Sequence, residues 1–292
     1  MTGDMGRHAF RRAAFLLLWA VVPAMLSGCM SYAKWSGRGS YVAPDKAAAA
    51  LPADGKGPLV LCVTGSMIVR EFYDIMEKRL LEAGFRPVVF QPPDLFTEPL
   101  AAGALRISEA VDKVLAVTGE KKLILLAECN GGVASRYYIE KLGGAAKVSR
   151  FITYVSAHHG TASTSWFNPY PAISDIRPES PYMAEMRESR PPADGPLTIS
   201  IFICTDEIMK PYATSRLPGA LNIEICDKDF DRRARKRTPP NVGNFVGNIL
   251  LAYCPVHLAV FWDEEFFGLL KSCLRDSPEE IRAYKGLSLK FE

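Results

Sequence analysis

Surplus charge, metal-type cysteine spacing, internal repeats and a membrane-length apolar run are all missing from this 292-residue sequence. Each absence removes a class of protein. Lys and Arg number 35 against 32 Asp and Glu. Setting aside Arg7, Arg11, Arg12 and Asp4 of the first 28 residues leaves 32 basic against 31 acidic. A body so close to neutral offers nothing for a nucleic-acid backbone, and no nucleic-acid partner is expected. The seven cysteines include no C-x-x-C pair, and no acidic cluster stands out. No cofactor and no metal is therefore expected. Histidine is scarce, with only four residues. What is present is ordinary: 48% hydrophobic and 23% charged residues, the balance of a globular protein long enough for a sizeable core.

The N-terminus has an export pattern. Arg7, Arg11 and Arg12 precede the apolar stretch Ala13 to Met25, which is too short to cross a bilayer comfortably. Leu26-Ser27-Gly28-Cys29 then resembles the bacterial lipobox, which implies diacylation of Cys29 and removal of residues 1–28 as a signal peptide. Acyl chains would hold the body at a membrane. Met30 follows the cysteine instead of Asp, so the expectation is the periplasmic face of an outer membrane. Residues 29–57, rich in Ala, Gly, Ser, Pro and Lys, read as the lipidated cysteine and a flexible tether. Residues 58–292 are expected to form one domain.

Within that domain strand and helix patterns alternate. Strands are expected at 58–63, 87–90, 122–127, 151–155, 197–204 and 221–226. Helices are expected at 68–83, 107–117, 131–142 and 264–274. Alternation of this kind implies an α/β fold with a mostly parallel sheet covered on both faces. Its active site belongs at the carboxyl ends of the strands. Residues 161–195 and 227–255 break the rhythm, and either is a candidate cap. The basic run Arg232, Arg233, Arg235, Lys236 and Arg237 reads as a solvated charge face. Cys62 and Cys204 lie in apolar strands and read as small buried hydrophobes.

The most informative stretch is Leu125-Leu126-Ala127-Glu128-Cys129-Asn130-Gly131-Gly132. A strand runs into Cys129, and Cys129 runs directly into a helix. A nucleophile on so tight a turn needs small residues two before and two after it, and Ala127 and Gly131 supply them. At a helix N-terminus the dipole is expected to favour the thiolate. A thiolate needs a base, and the fold's usual order is nucleophile, acid, histidine. Asp206 follows a strand and His257 lies further along, so these complete a candidate triad. Backbone N–H groups of Ser66 and Asn130, after two strand ends, are the expected oxyanion hole. His158 and His159 are expected to hold loops near the site.

These residues resemble the secreted bacterial triacylglycerol lipases and esterases of the α/β-hydrolase fold. The resemblance runs from about Pro58 to Leu274. Val63-Thr64-Gly65-Ser66 lies where those enzymes have Val-His-Gly. Ala157-His158-His159-Gly160-Thr161 matches their His-His-Gly-Thr stretch, and Ser180-Pro181-Tyr182-Met183 fits Ser-Pro-Phe-Leu. Thr205-Asp206-Glu207 and Val256-His257-Leu258 fit the segments that carry the catalytic acid and histidine. Thr64 replaces the family's His, and Glu128 stands where the family has His or Tyr. Cys129 replaces the family's Ser. Cys-His-Asp triads on this fold resemble those of dienelactone hydrolases and polyhydroxyalkanoate synthases. The resemblance implies a lipid-anchored envelope hydrolase that cleaves carboxylic esters or thioesters through an acyl-Cys129 intermediate. Two alternatives stay open. One is an acyltransferase using the same triad. The other is a non-catalytic lipoprotein that binds acyl chains or lipids in a degenerate hydrolase pocket.

Overall fold

The computed structural model describes residues 41–52, 55–164, 170–236 and 254–292. Cys29 and the signal peptide lie outside the described residues, as does Arg237. Seven strands form one sheet: β1 (Leu59–Val63), β2 (Arg86–Phe90), β3 (Leu123–Glu128), β4 (Val148–Tyr154), β5 (Leu197–Ile203), β6 (Leu221–Ile225) and β7 (Leu289–Phe291). Their spatial order is β2-β1-β3-β4-β5-β6-β7. All neighbours pair parallel except β6 and β7, which pair antiparallel with Ile223 opposite Phe291.

The period of two along each strand divides the core between the two faces. Val60, Cys62, Ile124 and Leu126 face one cluster, with Tyr73, Met76, Phe261, Phe266 and Leu270. Leu59, Leu61, Val63, Leu123, Leu125 and Ala127 face the other, with Ile107, Val111, Val133 and Tyr138. The first face is covered by α2 (Asp74–Glu82) and α9 (Glu264–Arg275), the second by α3 (Leu100–Thr118) and α4 (Cys129–Lys141). Strands buried on both faces explain the near-continuous apolar runs in the sequence.

The structure departs from expectation in several places. Residues 44–49, within the stretch read as tether, form α1 (Pro44–Ala49), which packs on α3 and β2. Ala48 is buried among the residues of the second cluster, so the folded body begins before Pro58. Helix α3 begins at Leu100, not at Ile107, because Pro99 precedes it and the Asp175 carboxylate accepts from the Leu100 N–H at 2.8 Å. The stretch expected as one cap candidate contains α5 (Pro171–Asp175) and α6 (Pro181–Glu188). Their Ala172, Tyr182, Met183 and Met186 are part of the core, held by sequence-distant contacts that apolar spacing alone did not announce. Helix α7 (Lys228–Lys236) carries most of the basic run, and much of it is paired: Arg232 with Asp229, Arg233 with Asp263, and Arg235 with Glu207. Cys204 is not a lone buried hydrophobe. It is disulfide-bonded to Cys226 across the ends of β5 and β6, where the Cys204 N–H also donates to the Ile225 carbonyl. Among the described residues Cys62, Cys129, Cys254 and Cys273 are free thiols.

Candidate active site

Strand order sets where chemistry can occur. β1 lies between β2 and β3, so the chain leaves β1 and β3 in different directions and opens a crevice at their carboxyl ends. The turn after β1 holds Ser66, and the turn after β3 holds Cys129.

Cys129 is the first residue of α4 and has φ +50°, the left-handed region that a non-glycine residue rarely occupies. Strain of this kind persists only where surrounding contacts enforce it. Here two close approaches do so. At Gly131 a Cβ would collide with the Thr64 carbonyl, and at Gly65 one would collide with the Glu128 carboxylate and Cys129 Cβ. The glycines let the two turns press against each other, and Cys129 as a residue is left partly exposed.

The acid comes from the loop after β5, and the base from a short helix at 255–259. Asp206 and His257 are both buried, and His257 Nδ1 donates to Asp206 Oδ2 at 2.8 Å. Asp206 Oδ1 accepts from the N–H groups of Ile208 and Met209 at 2.7 and 2.9 Å. Burial by itself would raise the Asp206 carboxyl. The His257 charge, the His257 hydrogen bond and these two N–H groups outweigh it and hold the carboxyl below its ordinary range. Burial would lower His257, but Asp206, Cys129 and Glu128 together push the imidazole well above its ordinary range.

The histidine has a second carboxylate neighbour. Glu128 is fully buried, and its Oε1 lies 3.4 Å from His257 Nε2. One ligand-type atom each from Glu128, Cys129 and His257 falls within 4.8 Å of the others. The dipole argument therefore does not decide the thiol. Burial pushes the Cys129 thiol up, and the Glu128 charge pushes it further. Hydrogen bonds with His257 and with the Asn130 N–H act the other way and are outweighed. The surroundings of the sulfur thus oppose the thiolate that the helix dipole alone would favour.

The oxyanion candidates meet at the same place. Asn130 Nδ2 donates to Ser66 Oγ at 2.8 Å, and Ser66 Oγ donates to the Phe96 carbonyl at 2.7 Å. Cys129, Asp206, His257, Ser66 and Asn130 are thus gathered from four separate stretches of chain.

Sequence reasoning missed Glu207 and the full reach of Glu128. Glu207 accepts from the N–H groups of Val256 and His257, at 3.3 and 3.0 Å, and so fixes the histidine segment α8 (Pro255–Ala259). Its place beside Asp206 was the only available signal. His158 bonds Thr153 at 3.2 Å and His159 bonds the Arg216 carbonyl at 2.9 Å, so both tie loops. Thr161 Oγ1 donates to the Ile208 carbonyl at 2.7 Å, which joins the His-His-Gly-Thr stretch to the acid loop.

This sheet order, elbow and pair of loops define the α/β-hydrolase fold, and comparison with solved structures places the chain in it. The lipase B of Aspergillus fumigatus superposes with a TM-score of 0.62 at 18% identity, over 81% of this chain and 58% of that one. A mature Bacillus licheniformis lipase superposes with a TM-score of 0.50 at 15% identity, over 59% of this chain and 83% of that one. The chain thus spans well under two thirds of the fungal lipase. No protein-family model matches it, and no curated protein matches it in sequence.

Proposed function

We propose that this protein hydrolyses carboxylic esters or thioesters of acyl groups through an acyl-Cys129 intermediate. The observation that carries the reading is Cys129 held at φ +50° on a strand-to-helix elbow, beside a buried His257 that donates to Asp206 at 2.8 Å. The Cys129 sulfur attacks the acyl carbon while His257 Nε2 holds the thiol's proton. Asp206 keeps the other ring nitrogen protonated and stabilises the imidazolium. The N–H groups of Ser66 and Asn130 receive the oxyanion. His257 returns its proton to the leaving alcohol or thiol, then takes one from water for the second half-reaction.

Two solved lipases on the same fold make an acyl ester the first substrate class to try. The lipobox-like Leu26-Ser27-Gly28-Cys29 supports attachment to a membrane through acylated Cys29, with the domain facing the periplasm. Loss of membrane partitioning in Cys29→Ala tests that part.

The direct test is intact mass after brief mixing of the full chain with activated acyl esters and thioesters. One acyl group should appear on wild type, vanish in Cys129→Ala and form more slowly in His257→Ala. Normal turnover in folded Cys129→Ala would overturn the reading. Acyl binding without any adduct would favour the lipid-binding alternative.

A further inference from the structure

Glu128 has no task in this mechanism, yet it is fully buried and neither carboxylate oxygen has a hydrogen-bond partner. Leaving such a group unsatisfied costs more than most single contacts return. His257 Nε2 lies 3.4 Å from Glu128 Oε1, which is long for an N–H···O hydrogen bond. That separation suits something else. A tetrahedral zinc ion with nitrogen and oxygen ligands at about 2.0–2.1 Å sets them about 3.3–3.4 Å apart. The Cys129 sulfur belongs to the same cluster, with all three ligand-type atoms within 4.8 Å of one another. The second shell is also present. A metal-bound histidine normally donates its other ring N–H to a carboxylate, as His257 Nδ1 does to Asp206 Oδ2 at 2.8 Å. Gly65 gives the carboxylate its room, since a Cβ there would strike Glu128 Oε2.

We propose that Cys129, His257 and Glu128 bind a divalent transition metal ion, zinc first, through Sγ, Nε2 and a carboxylate oxygen, with water in the fourth position. One sulfur, one nitrogen and one oxygen ligand in a tetrahedral set favour zinc over the hard cations. Binding releases to solvent any proton on the Cys129 sulfur and on His257 Nε2, so that both can ligate, and keeps the Nδ1 proton on the Asp206 side. No redox change is involved. The ion occupies both the nucleophile and the base, so the loaded protein is inactive in acyl transfer and chelation restores it. This inference goes beyond the hydrolase reading, because metal binding is measured without any substrate.

The test titrates the full chain with cobalt(II), without added thiol, followed by zinc. The expected result is one equivalent of cobalt with tetrahedral visible bands and a sulfur-to-cobalt charge-transfer band, all bleached by zinc. The charge-transfer band should disappear in Cys129→Ala. Zinc affinity should fall at least tenfold in the isosteric Glu128→Gln, with an unchanged melting curve. Cys254→Ser, at a half-buried thiol three residues from His257, should bind as wild type does. The proposal is overturned by the lack of a thiolate–cobalt band in wild type, by its survival in Cys129→Ala, or by undiminished zinc affinity in Glu128→Gln. Failure to form an acyl adduct bears only on the hydrolase reading.

Discussion

The two halves of the site differ in how their polar atoms are satisfied. On the acid–base side Asp206 accepts three hydrogen bonds, Glu207 accepts two N–H groups of the histidine segment, and Thr161 bridges to the acid loop. On the nucleophile side Glu128 Oε1 and Oε2, Thr64 Oγ1 and Asn130 Oδ1 are buried without a hydrogen-bond partner, although Glu128 Oε1 lies 3.4 Å from His257 Nε2. Buried polar atoms are nearly always paired, so unpaired ones grouped at one point need explanation. The acid–base half is complete as it stands and serves to position. The nucleophile half gathers its unsatisfied atoms around the thiol, where a substrate carbonyl and water or the metal ion proposed above would meet them.

The largest expected effect breaks the completed half. Asp206→Asn retains the shape but removes the charge that fixes the His257 tautomer, so acyl turnover should fall by about 10³–10⁴-fold. Steady-state rates check this, and a loss under tenfold would show that Asp206 is only a loop anchor. Next comes the disulfide, which ties β5 to β6 just before Asp206 and closes a sequence separation of 22 residues. The paired change Cys204→Ser/Cys226→Ser should cost about 3 kcal/mol of stability. Urea unfolding monitors it, and an unchanged midpoint would mean that β5–β6 pairing alone holds the acid loop. A smaller effect belongs to the elbow. Gly131→Ala drives a methyl into the Thr64 carbonyl and should cost about 1–3 kcal/mol. Because that push separates the two turns, acyl-adduct formation should slow more than the melting temperature falls.

Much of this contrast was legible beforehand, for uneven reasons. The core strands announced themselves because burial on both faces gives continuous apolar runs, as in Leu123-Ile124-Leu125-Leu126-Ala127. The elbow was legible because its constraint is local: small residues must flank Cys129 within two positions. Asp206 and His257 were found through chain order and resemblance. The structure adds their 2.8 Å contact across 51 residues of sequence. Helix α1 was missed because its Ala-rich segment has the composition of a linker, and only contact with α3 shows that Ala48 is interior. The Cys204–Cys226 bridge was hidden by the apolar strands that carry it. The Glu128–Cys129–His257 cluster escaped any spacing rule, since its third member lies 128 residues beyond its second.

Glu128 offers the finest test of the difference between the halves, because one atom changes. Its charge acts on Cys129 in the same direction as burial, toward the neutral thiol. Glu128→Gln removes that charge and keeps the volume beside Gly65. In metal-free protein the Cys129 thiol pKa should therefore fall, and alkylation by iodoacetamide at fixed neutral pH should speed up by about tenfold, the equivalent of roughly 1.4 kcal/mol. The rate at Cys254, followed by mass in the same sample, serves as the internal control. An unchanged Cys129 rate would mean that the Glu128 side chain does not govern the thiol. The contrast drawn between the halves and the case for Glu128 as a metal ligand would then weaken together.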